Sequence, residues 1–92
     1  MLKDIVAVEP RQNHTLYLRF EDGVAGVVDI RTLVGFDGIF GPLSDLQYFN
    51  RVRVDSGLGT IVWPNGADLD PDVLYSCVSG VDVASELAGP AK

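Results

Sequence analysis

The stretch that decides the fold is Thr15-Leu16-Tyr17-Leu18-Arg19-Phe20. Apolar and polar side chains alternate strictly along it, and this period of two is typical of a β-strand with one buried face and one wet face. We therefore expect Leu16, Leu18 and Phe20 to face the core and the residues between them to face solvent. A strand of this kind predicts an antiparallel sheet.

Two further strands are predicted to flank this one. Residues 2–9 are rich in β-branched side chains and end before Pro10, which cannot donate to a ladder. After residue 20, Glu21-Asp22-Gly23 predicts a hairpin turn in which Gly23 takes a positive φ, and residues 24–30 return as a third strand. The N-terminal part of the chain is therefore expected to form a three-strand antiparallel meander.

The rest of the chain predicts a second hairpin between two short helices. A packed loop with one helical turn at residues 31–34 comes first, and Leu43, Leu46 and Phe49 then give residues 42–50 one apolar stripe. Residues 51–55 alternate again and lead through a glycine-containing turn into a strand at 60–63. The expected fold is α+β, with about five strands and two short helices.

The second helix has a well-formed start. Asp70 is the expected cap, Pro71 the first residue, and Asp72 complements the helix dipole. Gly80 is expected to end the helix, after an inward stripe of Leu74, Cys77, Val78 and Val81. On that stripe Cys77 is interpreted as buried core rather than as a nucleophile, because no nearby cation or helix N-terminus would lower its pKa. The predicted domain covers residues 1–80, and residues 81–92 are predicted to be a tail.

Composition limits the class of protein. The 92 residues carry a formal net charge of -6, and 47% apolar with 22% charged residues is an ordinary globular balance. The apolar runs are far shorter than the about 18 residues that a bilayer span needs, and they are also too short for a signal peptide. A single cysteine cannot close an internal disulfide. We expect a cytoplasmic protein that does not bind membranes.

Charge is unevenly placed along the chain. Residues 1–53 carry 6 basic and 7 acidic side chains, whereas residues 54–92 carry 1 and 6. Nucleic-acid binding depends on neutralising phosphates with Lys and Arg, so this acidic balance argues against direct binding of DNA or RNA. The acidic C-terminal part would instead suit a basic protein partner.

Asp68, Asp70 and Asp72 alternate like the first ligands of a calcium loop. Such a loop requires Gly at its sixth position and Glu at its twelfth, where this chain has Val73 and Ser79. We interpret the three carboxylates as turn and cap residues, and no cofactor or metal is assigned. A metal- or small-ligand-binding site at this region is kept as an alternative.

Other polar residues have a structural and a functional interpretation each. His14 is the sole imidazole and is expected to be a solvated turn residue. Arg51 and Arg53 share one face of a strand, as a charged edge that discourages aggregation or as a partner site. Trp63 and Tyr75 either close the core or anchor an interface.

One motif resembles a known family. Residues 60–69 read Thr-Ile-Val-Trp-Pro-Asn-Gly-Ala-Asp-Leu, preceded by Phe49-x-x-Val52-x-Val54 and followed by Pro71 and Leu74-Tyr75. This pattern, with the turn at residues 20–23, is similar to that of small prokaryotic proteins grouped as domain of unknown function 2442. The resemblance covers residues 1–80 and implies a compact α+β domain without assigned catalytic residues. Some relatives are fused to a helix-turn-helix, and others are encoded beside a second small domain, as toxin and antitoxin pairs are.

These observations predict a non-enzymatic interaction or regulatory module with a protein partner, antitoxin-like or paired with an adjacent small protein. An accessory domain of a transcription regulator, without its own DNA-binding part, is the second hypothesis. Self-association is compatible with both. The predicted interaction surface consists of Trp63, Asn65, Asp68, Tyr75, Arg51 and Arg53.

Overall fold

The computed structural model describes residues 3–79 and shows an α+β fold. A three-strand sheet and a two-strand hairpin are combined with short helices. The strands are β1 (Ile5–Arg11), β2 (Thr15–Phe20), β3 (Ala25–Asp29), β4 (Arg53–Asp55) and β5 (Thr60–Val62). The α-helices are α1 (Leu46–Phe49) and α2 (Pro71–Ser79), and 3-10 turns cover Gln12–His14, Ile30–Thr32 and Gly38–Ser44.

The three-strand sheet is an antiparallel meander with β2 in the centre. Its alternation is confirmed, because Leu16, Leu18 and Phe20 are completely buried and Arg19 is exposed. Burial of three large apolar side chains from one strand contributes about 1.5–3 kcal/mol each. The inner face of β2 is therefore the base of the core.

β1 extends beyond its predicted end, through Pro10 to Arg11. Pro10 lies opposite Leu16 in the register with β2, while its neighbours Glu9 and Arg11 lie opposite Tyr17 and Thr15. In an antiparallel pair the backbone groups of successive residues point to alternate sides. The missing N–H of Pro10 is on the side away from β2, so proline does not interrupt the ladder.

The hairpin of β4 and β5 docks against the start of β1. The Ile5 N–H donates to the Gly59 carbonyl oxygen at 3.0 Å, and Gly59 has φ +73°. A Cβ atom at Gly59 would lie 2.5 Å from Oδ1 of Asp4. This junction therefore needs glycine for its backbone conformation, and the exposed Asp4 side chain would have to move to accept a Cβ.

The helix predicted over residues 42–50 is two elements. A 3-10 turn ends at Ser44, and α1 begins at Leu46 after Asp45, whose backbone is extended at φ -85° and ψ 117°. Asp45 caps α1 through its side chain, which accepts from the Gln47 N–H at 2.9 Å. The break changes the helical phase, so Leu46 is exposed although Leu43 and Phe49 are buried.

Helix α2 starts as predicted and packs on the inner face of the sheet. The Asp72 N–H donates to the side chain of Asp70 at 2.8 Å, which confirms the cap. A Cβ atom at Gly26 of β3 would lie 3.1 Å from Cγ1 of Val78, so glycine permits this close contact. The prediction that Cys77 is buried is wrong, because the helix turns this residue to solvent.

The predicted end of α2 at Gly80, the stripe residue Val81 and the tail at 81–92 lie outside the described residues. Among residues 3–79, no helix is both long enough and apolar enough to cross a bilayer.

We expect Gly59→Ala to lower the free energy of unfolding by about 1–2 kcal/mol, the usual penalty for a left-handed residue with a Cβ. Gly41→Ala is the matched control, because a Cβ there meets no atom within 4 Å. Urea denaturation monitored by circular dichroism measures both variants. Equal stability of Gly59→Ala and wild type would contradict the described junction.

Candidate functional site

Trp63 closes the core. Its side chain is completely buried, and its Nε1–H donates to the carbonyl oxygen of Phe49 at 2.9 Å. The Phe49 ring lies 5.8 Å away between centroids. Of the two interpretations of Trp63, closure of the core is therefore confirmed. A completely buried indole whose N–H already has an acceptor is not exposed on the predicted interaction surface.

The turn after β5 has a defined hydrogen-bond pattern. The Gly66 N–H donates to the Trp63 carbonyl, and the Trp63 N–H donates to the Ala67 carbonyl, both at 2.9 Å. Gly66 has φ +91°, and the side-chain oxygen of Asn65 accepts from the Ala67 N–H at 3.1 Å. This is a three-residue hairpin loop in which glycine supplies the left-handed position.

Asn65 also fixes this turn to the middle of the chain. Its Nδ2 donates to the Ile39 carbonyl, and its backbone N–H donates to the Tyr48 hydroxyl oxygen, both at 2.9 Å. Asn65 is exposed, but both ends of its amide are occupied by the protein itself. Asn65 therefore joins the turn to the loop before α1, and its role in partner binding stays a prediction.

The hairpin between β2 and β3 repeats the same turn. The Gly23 N–H donates to the Phe20 carbonyl, the Phe20 N–H donates to the Val24 carbonyl, and Gly23 has φ +92°. The Asp22 side chain accepts from the Val24 N–H at 3.0 Å, as Asn65 accepts from the N–H two residues on. Each turn thus consists of a buried aromatic residue, a spacer, Asp or Asn, and glycine.

Tyr75 ties α2 to the first of these turns. Its hydroxyl donates to Oδ2 of Asp22 at 2.7 Å, and its ring packs edge-on against Phe20 with centroids 5.0 Å apart. The hydrogen bond from Tyr75 lowers the pKa of Asp22, and the same bond raises the pKa of the Tyr75 hydroxyl. Tyr75 is therefore engaged within the fold.

The three aspartates near the start of α2 have different surroundings. Asp70 caps the helix, and Asp68 forms an isolated antiparallel bridge with Val62. Asp72 lines an open pocket of about 230 Å³ together with Lys3, Tyr75 and Ser76. Among residues 3–79, no group of three His, Cys, Asp or Glu side chains is placed to hold a metal ion.

The predicted arginine pair is exposed but is not joined to the other candidates. Arg51 precedes β4, and its guanidinium lies 5.7 Å from the centre of the Tyr48 ring. Arg53 projects from β4, whereas Arg19 projects from the separate three-strand sheet. The expectation that Arg51 and Arg53 share one face of a strand is therefore wrong, because β4 begins at Arg53.

His14 is not the solvated turn residue that was predicted. It is half-buried, its Nε2 lies 2.9 Å from the Leu43 carbonyl oxygen, and its ring is 5.0 Å from those of Phe36 and Phe49. Asn13 and His14 both have positive φ values, which turn the imidazole inward. The sequence-based interpretation failed because local polarity did not reveal this backbone conformation.

The three-strand sheet also exposes a face that sequence reasoning did not select. We call it the outward sheet face, and its members follow from the register: Ala7, Glu9, Arg11, Thr15, Tyr17, Arg19, Ala25, Val27 and Asp29. The Arg11 guanidinium lies 5.1 Å from the Tyr17 ring centre and pairs with Glu9 at 2.8 Å. The alternation of β2 was the signal that could have identified it.

The family comparison agrees with this geometry. The model described as "Protein of unknown function (DUF2442)" matches residues 5–78. The chain belongs to the DUF2442 family. The matched range contains β1 to β5 and nearly all of α2, so this DUF2442 domain includes both aromatic-Asx-Gly turns. No curated protein and no solved structure matches the chain.

We predict that Asn65→Ala lowers the free energy of unfolding by about 1–2 kcal/mol, since it removes two side-chain hydrogen bonds of about 1 kcal/mol each. Asn50→Ala is the control, because Asn50 is exposed and its side chain is not used in either turn. Thermal and urea unfolding measure both. A loss no larger than that of the control would contradict the joining role of Asn65.

The Tyr75–Asp22 bond should make the stability of the protein depend on pH. The lowered pKa of Asp22 adds stability above pH 3.8, its ordinary value, which is lost as pH falls through the lowered value. The raised pKa of Tyr75 adds stability below its ordinary value of 10.0, which is lost as pH rises through the raised value.

The free energy of unfolding of Tyr75→Phe should therefore differ most from that of wild type between these two pH limits. The difference should disappear at both extremes of pH. Tyr17→Phe, on the outward sheet face, is the control that removes a tyrosine hydroxyl without removing the bond to Asp22. Unfolding measured across the pH range tests this. A pH-independent gap for Tyr75→Phe would contradict the described bond.

Proposed function

We propose that this DUF2442 domain is a protein-interaction module that binds its partner through the outward sheet face. The exposure of this face supports the proposal. Other candidate residues, by contrast, already make contacts within the fold. Val27 is 54% exposed at its centre, whereas Trp63 is completely buried and Tyr75 is bonded to Asp22. An exposed apolar area rimmed by polar side chains is typical of a protein-interaction site.

The chemistry of the face defines the kind of partner. Tyr17 and Val27 are cross-strand neighbours and offer apolar area, with the Arg11 guanidinium over the Tyr17 ring. Glu9 and Asp29 are paired with Arg11 and Arg31, respectively. Arg19 has no carboxylate partner within residues 3–79. The face therefore suits a segment that brings apolar side chains and one carboxylate.

This proposal has two narrower forms that were expected from the sequence. One is an antitoxin-like module whose partner is an adjacent small protein, and the other is an accessory to a transcription regulator. Both need a protein-binding face, and the net charge of -6 argues in both cases against contact with nucleic acid. The identity of the partner separates them.

Matched charge reversals test the proposal. Tagged wild type, Arg19→Glu and Arg53→Glu are used to recover partners from the native host, and each recovered protein is titrated against all three. Both arginines are exposed strand residues, so the two reversals change the net charge equally. We expect Arg19→Glu to weaken binding of the recovered partner at least about 10-fold, the value of one lost charged contact with added repulsion, and Arg53→Glu to retain it.

The reverse result would indicate a different partner-binding surface. Loss of binding with Arg53→Glu and not with Arg19→Glu would place the interface on the sequence-predicted arginine pair and overturn the outward sheet face. Circular dichroism of each variant checks that the fold is intact. Recovery of no partner by correctly folded wild type at low salt would count against a protein-binding role.

A further inference from the structure

The free edge of β3 has backbone groups that point away from the sheet. In the hairpin, the Phe20 N–H donates to the Val24 carbonyl, so residues 20 and 24 form a hydrogen-bonded pair. Such pairs alternate along an antiparallel ladder. With the register of β2 and β3, Gly26 and Val28 point toward β2, whereas Ala25, Val27 and Asp29 direct their N–H and C=O groups to the outer edge.

These outer groups are mostly unoccupied in the part of the chain that the structure describes. The Asp29 carbonyl accepts from the Thr32 hydroxyl at 2.7 Å, and no hydrogen bond is made there by the backbone of Ala25 or Val27. Both residues are exposed. A strand with free amides and apolar side chains is able to pair with another strand.

The opposite edge of the sheet is protected in three ways. The register of β1 shifts between Ile5 and Ala7, the Ile5 N–H is taken by the Gly59 carbonyl, and Pro10 has no N–H to offer. Bulges, proline and covering loops are the usual means of blocking an edge strand. From Ala25 to Val28, β3 has none of these and no charged side chain.

We propose that β3 pairs with β3 of a second copy, antiparallel and related by a two-fold axis at Val27. In this register Val27 lies opposite Val27, and Ala25 lies opposite Asp29 of the other copy. All three outward-pointing residues are then paired, with about six backbone hydrogen bonds. Other symmetric registers pair fewer of them, and the one centred on Asp29 sets two like charges against each other.

Helix α2 leaves this approach open. It packs beneath β3, where Val78 contacts Gly26, and not beside the strand. Two copies would therefore form one continuous six-strand sheet with a helix of each copy on the inner side and a doubled outward sheet face. The pairing uses the backbone edge of β3, whereas the proposed partner binding uses side chains of the outward sheet face, with Arg19 as its test residue.

Analytical ultracentrifugation over a concentration series tests the pairing. We expect wild type to change from monomer to dimer, and Val27→Lys to remain monomeric because two ammonium groups would meet at the two-fold axis. Val6→Lys is the matched control, since Val6 is a similarly exposed valine of β1, and it should dimerise as wild type does.

Amide hydrogen exchange gives a second readout on unmodified protein. The Val27 N–H should be unprotected in dilute solution and become protected as concentration rises, whereas the Gly26 N–H stays protected throughout. A monomer at every concentration, or equal dimerisation of Val27→Lys, would overturn the proposal. Protection of Val27 that does not depend on concentration would mean that the same chain covers the edge, and it would overturn the proposal too. Binding of the partner sensitive to Arg19 could survive any of these results.

Discussion

The hydrogen bond from the buried Trp63 indole to the Phe49 carbonyl is the constraint on which the rest of the structure depends. It joins the end of β5 to the end of α1, two segments that share no sheet. Burying an indole N–H without an acceptor would cost about 1–3 kcal/mol of folding free energy, which is a large part of the stability of so small a domain. The β4–β5 hairpin and α1 are therefore held in one arrangement.

The two aromatic-Asx-Gly turns extend this constraint across the molecule. Asn65 joins one turn to Ile39 and Tyr48, and Asp22 joins the other turn to Tyr75 of α2. Trp63, Asn65 and Tyr75 of the family motif thus all make contacts within the fold. The outward sheet face that we propose for partner binding lies outside these contacts.

Local sequence patterns were sufficient to predict most elements. They were not sufficient to predict contacts between residues that are distant in sequence. The alternation in β2, the Glu21-Asp22-Gly23 turn and the Asp70 cap could be predicted because neighbours in sequence determine them. The inward turn of His14 and the exposure of Cys77 could not, since each depends on packing between separate elements. For Trp63 the sequence left closure of the core and an interface role open, and the packing decides for the core. The prediction of one helix across Asp45 failed for a local reason, because aspartate favours capping a new helix over continuing one.

Exchange of the Trp63 indole Nε1–H with solvent deuterium, followed by NMR in native conditions, tests the central claim most directly. If the Phe49 hydrogen bond holds the fold together, the indole proton will exchange only through global unfolding, as slowly as the most protected amides of β2. Rapid exchange of the indole N–H in a protein whose β2 amides stay protected would contradict the account. It would mean that solvent reaches the Trp63 indole without global unfolding.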